Sequence, residues 1–162
     1  MAQSIKPKIF EDQAYNRALR LLSVRNRSSQ ELRRYLSSRG YSRKIVSAVV
    51  AKLTEKGLVD DRIFAFERAS AVGFGKGWGP KKIRMDLAKK GIAEQLTEEA
   101  VAQAYDGLSV DQVIRRIVIK KFGKKVFQPG LELGIKSKIQ RYLIGRGFET
   151  EDVYELWPND GS

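Results

Sequence analysis

The sequence predicts an all-α protein built of three tandem three-helix repeats stacked into an elongated, curved array. Three observations predict it. Apolar residues recur at three- and four-residue intervals almost from end to end, no alternating strand is bounded by hairpin signals, and one helix-to-glycine pattern occurs three times. The 162 residues, 42% apolar and 31% charged, suffice for one domain of ordinary size or a short array of smaller units.

The first helix is expected over Asp12 to Val24, with Ala14, Ala18, Leu21 and Leu22 on one face. Ser28 and Glu31 fit a capping box, in which hydroxyl and carboxylate each satisfy a free backbone N–H of the first turn. Leu32, Tyr35 and Leu36 continue that second helix, and Gly40 stops it. Ser42 caps a third with Ile45, Val46, Val49, Val50 and Leu53 inward, ended by Gly57. Asp60 and Asp61 open a fourth through Ile63, Phe64 and Phe66. It runs into Gly73-Phe74-Gly75-Lys76-Gly77-Trp78-Gly79, which lacks the order of a phosphate loop and reads as a flexible connector, or else a contact with a partner backbone, with Trp78 either a staple onto the next repeat or an exposed stacking platform for a base. Pro80 suits a first helical position, where its missing N–H costs nothing. The fifth helix carries Ile83 and Leu87 and ends at Gly91; a sixth runs from Glu94 to Tyr105. Ser109 opens a seventh with Val110, Val113, Ile114 and Ile117, and a loop containing Pro129 lies between Phe122 and Gly130. The eighth holds Ile135, Ile139, Tyr142 and Leu143 and ends at Gly147, and a short ninth covers Thr150 to Trp157.

Three segments align with one another: Leu32 to Tyr41, Ile83 to Ile92 and Ile139 to Phe148. Each has an apolar residue, Leu four later, a base seven later, Gly eight later and an apolar residue ninth. Repeats over 12–58, 59–108 and 109–158 follow, with tails at 1–11 and 159–162. A unit of this size has little core of its own, so neighbours are expected to share apolar faces.

Charge follows the same period. The formal net charge is +12. From Arg17 to Lys44 there are nine bases and one acid, from Arg62 to Lys90 eight and two, and from Arg115 to Arg146 ten and one. The intervals after the second and third repeat glycines are acidic instead, with Glu94, Glu98, Glu99, Asp106 and Asp111, then Glu149, Glu151, Asp152, Glu155 and Asp160. The expectation is a basic stripe with an acidic back, facing nucleic acid or an assembly that carries it. Candidate contacts are Arg25, Arg27, Arg33, Arg34, Lys81, Lys82, Arg84, Lys89, Lys90, Arg115, Arg116, Lys120, Lys121, Lys124, Lys125, Lys138 and Arg141. Phe122 and Phe127 interleave the lysine cluster, either for nucleic-acid contact or as core of the third repeat, while Tyr35 and Tyr142 read as core.

The sequence has no Cys and no His, which removes disulfides, thiolate and imidazole metal sites and the Ser-His-Asp triad. No catalytic, metal or cofactor residues are expected. Neither a secretory signal nor a membrane span is read, so the expected compartment is the cytoplasm and the expected state a monomer.

Leu21-Leu22 with Arg25 and Arg27, Ser28-Ser29-Gln30-Glu31-Leu32-Arg33-Arg34-Tyr35-Leu36, Gly57-Leu58-Val59-Asp60-Asp61, Lys76-Gly77-Trp78-Gly79-Pro80, Leu87-Ala88-Lys89-Lys90-Gly91-Ile92 and Lys138-Ile139-Gln140-Arg141-Tyr142-Leu143 with Arg146-Gly147-Phe148 together resemble the RecX family of bacterial recombinase regulators. The resemblance runs over roughly residues 12–158 and rests on order and spacing. It implies a fold of three three-helix units and a non-enzymatic modulator of RecA. Such a protein lodges in the groove of the RecA filament on single-stranded DNA, and inhibits ATP hydrolysis, strand exchange and co-protease activity, so tuning recombinational repair and the SOS response. Direct contact with single-stranded DNA stays open. The alternative is a helix-turn-helix DNA-binding protein presenting Arg43, Lys44 and Lys52, which the acid runs of the equivalent later helices oppose. A carboxylate-metal nuclease is the third reading, without a suitable acidic constellation.

Overall fold

The structure is a computed structural model that describes residues 5–105 and 107–157, with side chains from Lys8 onward. Among the described residues it is helical throughout: α1 (Ile5–Leu22), α2 (Ser29–Ser38), α3 (Arg43–Glu55), α4 (Asp61–Ser70), α5 (Pro80–Lys89), α6 (Glu94–Gln103), α7 (Val110–Phe122), α8 (Leu133–Gly145) and α9 (Thr150–Tyr154). Two compact units emerge: Met1–Ala65 with Ala88–Ala93, and Phe66–Leu87 with Glu94–Ser162.

In the first unit the apolar stripes of α1, α2 and α3 close on one another. Ala14, Ala18, Leu32, Leu36, Val46, Val49, Val50, Leu53 and Val59 form its core, with Tyr15, Leu19 and Tyr41 packed around them. The expected capping box is present, since Ser28 Oγ accepts from the Glu31 N–H at 3.1 Å and Glu31 accepts from the Ser28 N–H at 3.3 Å. Asp60 caps α4 by accepting from the Arg62 and Ile63 N–H groups at 2.8 and 3.0 Å. Asp61 does something the sequence does not announce: it accepts from the backbone N–H and hydroxyl of Ser29 at 2.7 and 2.6 Å, tying α4 to the start of α2.

The second unit buries Ile83, Leu87, Ala100, Val101, Ile114, Val118, Ile139, Leu143, Phe148 and Val153. Ser109 and Gln112 form a second capping box. Lys124–Phe127 coils into a 3₁₀ turn, and Phe127 stacks on Trp157 at 6.0 Å while Trp157 donates to the Val126 carbonyl at 3.1 Å.

Two expectations need correction. The first helix starts at Ile5 rather than Asp12, so 5–11 is helix and not tail; residues 159–162 lie outside the described residues. Gly73 to Gly79 is no flexible connector. Ala71–Gly75 forms a π-helical turn continuing α4. Gly73 is buried where a Cβ would press on Tyr105, Ile83 and Ala104 at 3.1 to 3.3 Å, so the missing side chain is what lets this turn pack.

Candidate nucleic-acid interface

Two joints position the basic residues, and the repeat glycines are their keystones. In the first unit, the end of α5 seats on the start of α2. Ser28, with no exposed surface, donates its hydroxyl to the Lys90 carbonyl at 2.6 Å, and Arg34 donates to the Lys89 carbonyl at 2.8 Å. Lys90 Nζ and Arg25 Nη2 converge on Glu31 Oε1 at 2.7 and 3.1 Å. Burial alone would raise the Glu31 carboxyl, but hydrogen bonds from Arg25 and Lys90 and their charges outweigh it and hold its pKa near about 2. Gly91, at φ +76°, leaves its Cβ side to Gln30, whose own Cβ lies 2.5 Å from where a side chain would start.

In the second unit, the end of α8 seats on the start of α5 in the same way. The Gly79 N–H donates to the Arg146 carbonyl at 2.8 Å and the Lys81 N–H to the Gly147 carbonyl at 3.0 Å. A Cβ on Gly147, at φ +89°, would collide with Lys82 Cβ and its backbone nitrogen, and one on Gly79 would collide with the Phe148 backbone. Ser28 and Gly79 both stand four residues before the first apolar position of their repeat. Gly40, which no earlier repeat receives, meets nothing within 4 Å. Trp78 precedes this joint. Its carbonyl accepts from the Tyr105 hydroxyl at 2.8 Å, and Lys82 and Lys76 lie over its ring at 4.8 and 5.9 Å. Burial pushes the Tyr105 phenol far above its ordinary range, with slight opposition from Arg84, so it stays a donor.

Beside the π-helical turn lies a half-open groove of about 780 Å³. One wall is Gly73, Phe74, Gly75, Lys76 and Gly77; the rest is Leu108, Val113, Arg116, Ile117, Lys120, Lys121, Tyr142 and Arg146. Five of these are cations, and none of the described lining residues is a carboxylate. Rings hold the cations in place: Arg116 lies over Phe74 at 4.7 Å, while Lys121 and Arg146 lie over Tyr142 at 4.6 and 5.0 Å. Arg146 also donates to the Lys76 carbonyl.

Of the residues expected to contact a polyanion, Arg116, Lys120 and Lys121 meet here. Others are engaged in contacts within the protein. Arg84 forks onto Glu98 at 2.8 and 3.0 Å, with Glu149 at 4.0 Å. That hydrogen bond lowers the Glu98 carboxyl and raises the Arg84 guanidinium. Arg115 pairs with Asp111 at 2.9 Å and covers Phe127 at 5.1 Å. Arg25, Arg34 and Lys90 belong to the first joint, Arg33 reaches Ser47 at 3.3 Å, and the Arg27 Nε is enclosed without an acceptor among the described residues. Lys81, Lys89, Lys124, Lys125, Lys138 and Arg141 are exposed, and Lys82 is half-buried under Trp78. Phe122 packs edge-on against Tyr142 at 5.5 Å and Phe127 against Trp157, so neither is an open stacking platform between the lysines. Tyr142 itself lines the groove rather than a core. The major-groove reading of α3 loses Lys52, which sits over Tyr15 at 5.0 Å. Sequence reasoning missed Lys76, Phe74 and Arg146 as site residues. The signal for Arg146 was present, as the base before the third repeat glycine.

On the acidic side, burial raises the Asp152 carboxyl, with Glu155, Glu149 and Glu151 adding to it. Asp106 and Asp160 lie outside the described residues. No group of three or more carboxylates among the described residues is placed to hold a metal, and no described helix is long and apolar enough to cross a membrane.

Comparison with known proteins agrees with this architecture. Residues 14–53 match the first three-helix domain of RecX, and residues 60–101 match the second. A protein of Salmonella arizonae called Regulatory protein RecX is 32% identical over 154 residues, covering 89% of each chain. One of the same name from Escherichia coli strain SE11 is 36% identical over 157 residues, again 89% of each. The crystal structure of RecX from Lactobacillus salivarius superimposes with a TM-score of 0.78 at 23% identity, covering 93% of this chain and 96% of that one.

Proposed function

This chain belongs to the RecX family of regulatory proteins, and from that premise we propose that it is a non-enzymatic negative regulator of RecA, acting on the RecA filament formed on single-stranded DNA. The observation that carries the reading is the groove of the second unit, where five cations meet with no described carboxylate among them and Arg116, Lys121 and Arg146 lie over the groove's own rings. A nucleoprotein filament is a helical polyanion, and cations that are not spent on internal pairs are free to replace its counterions. Inhibition needs no catalytic group. A protein that binds the ATP-bound arrangement of neighbouring protomers better than the arrangement after hydrolysis opposes the step between them, by the difference in its affinity for the two. Strand exchange and co-protease activity depend on the same filament and fall with it. Residues 109–158 complete the set as a third three-helix repeat, and the compartment is the cytoplasm.

The deciding experiment adds sub-stoichiometric protein to RecA hydrolysing ATP on single-stranded DNA. The rate should fall. Reversal of Lys81, Lys120 and Lys121 to Glu, all exposed and outside the joints' side-chain ion pairs, should restore it while the helical spectrum is kept. A folded triple reversal that inhibits as well as the parent refutes the reading.

A further inference from the structure

The groove holds something that bulk attraction to a filament does not call for, a half-exposed aromatic ring beside free cations. Phe74 is 49% exposed on a π-helical turn, and the Arg116 guanidinium lies 4.7 Å over its ring. We propose that the groove is a binding site for single-stranded nucleic acid, with phosphates on Arg116, Lys120 and Lys121 and a base stacked at Phe74. This deepens the regulatory reading and rests on it only for the source of the strand.

Three features choose this ligand. Tyr142 carries two cations, Lys121 and Arg146 at 4.6 and 5.0 Å, whereas Phe74 carries only Arg116 among the described contacts and is 49% exposed, which leaves Phe74 as the platform with Arg116 beside it for the phosphate. Only an unstacked base can offer its face to such a ring, which selects a single strand over a duplex. The floor contributed by Val113 and Ile117 is apolar, so an acidic peptide would satisfy the cations yet leave ring and floor wet. No Asn, Gln, Ser or Thr is among the described lining residues, so edge readout rests on the same Arg and Lys side chains that are assigned to phosphates, and binding should depend only weakly on sequence. Gly75 leaves open space on the wall, which lets a strand lie close to the backbone.

The test is fluorescence anisotropy of labelled oligodeoxythymidylate with the full-length protein alone, without RecA. Engagement of three or four phosphates predicts a log–log salt slope of about −2 to −3. Phe74→Ala should weaken binding by roughly five- to a hundred-fold with the slope unchanged. Phe74→Leu, which keeps the apolar bulk, serves if the alanine variant fails to fold, with a loss in the same direction. Lys120→Glu with Lys121→Glu should lower both affinity and slope. Arg17→Glu with Arg20→Glu, the same change in net charge on exposed positions of α1, should alter binding less than about threefold. The proposal falls if Phe74→Ala or Phe74→Leu binds like the parent, if the α1 reversal is as damaging as the groove reversal, or if polyglutamate displaces the probe better than unlabelled oligodeoxythymidylate, which would assign the groove to an acidic protein partner. Inhibition of RecA ATP hydrolysis is measured in parallel. A parent protein that inhibits without groove-dependent oligonucleotide binding sinks this inference and leaves the regulatory one. Groove-dependent binding without inhibition does the reverse.

Discussion

Ser28 makes two hydrogen bonds that point in opposite directions, accepting from the Glu31 N–H of its own helix and donating to the Lys90 carbonyl 62 residues away. Ser28→Ala therefore removes a cap and takes the hydroxyl from a part-buried carbonyl. It should destabilise the protein by about 2–3 kcal/mol in urea denaturation, against about 1 kcal/mol for Ser42→Ala, whose hydroxyl serves only its own helix. Glu31 supplies the pH dependence of this joint. Its carboxyl falls from an ordinary 4.5 to about 2 on folding, so the ionised form favours the folded state. The stabilisation is complete above about pH 4.5 and is lost as pH drops through about 2. Glu31→Gln should reduce stability at pH 7 by about 1–2 kcal/mol and flatten that acid limb, which a pH series of thermal melts would show. The glycines rank by what faces them. Gly40→Ala meets only left-handed backbone strain, about 1 kcal/mol. Gly91→Ala adds a clash with the Cβ and Cγ of Gln30, and Gly147→Ala a closer one with Lys82 Cβ and backbone nitrogen, so stability in urea should fall in the order Gly40, Gly91, Gly147.

Helices are where the sequence was most legible. The apolar periodicity and the caps at Ser28, Ser42, Asp60 and Ser109 found their elements, because a cap and a stripe are properties of a few adjacent residues. The segment after α4 was not legible. A run of glycines reads as slack chain, yet here Gly73 exists so that the turn can approach Tyr105 and Ala104, residues that lie more than 30 positions further on. Gly73→Ala should overpack this contact and cost about 1–3 kcal/mol, a loss a truly flexible connector would not show in a thermal melt. α5 explains why glycine recurs at the eighth place of the motif. Its start receives the end of α8 and its own end docks on α2, each time through a glycine too close to its neighbour for any side chain.

For the molecule as a whole, inhibition carried by cations must be sensitive to ionic strength. Raising salt from about 50 to 200 mM should weaken inhibition of filament ATP hydrolysis by at least tenfold in apparent affinity, and the Lys120→Glu, Lys121→Glu variant should be both weaker and less salt-dependent. Removing an internally paired base should behave differently. Arg84→Ala breaks an exposed pair with Glu98, worth about 0–1 kcal/mol, and should leave the salt dependence of inhibition unchanged. The sequence by itself determined the helices, the threefold motif, the excess of positive charge and the family, because each is written in local order and spacing. Which bases are free to meet a partner was decided only by tertiary structure. Glu31 captures Lys90 across 59 residues and Arg146 reaches the Lys76 carbonyl across 70, and a charge's availability depends on neighbours that only folding brings within hydrogen-bond range.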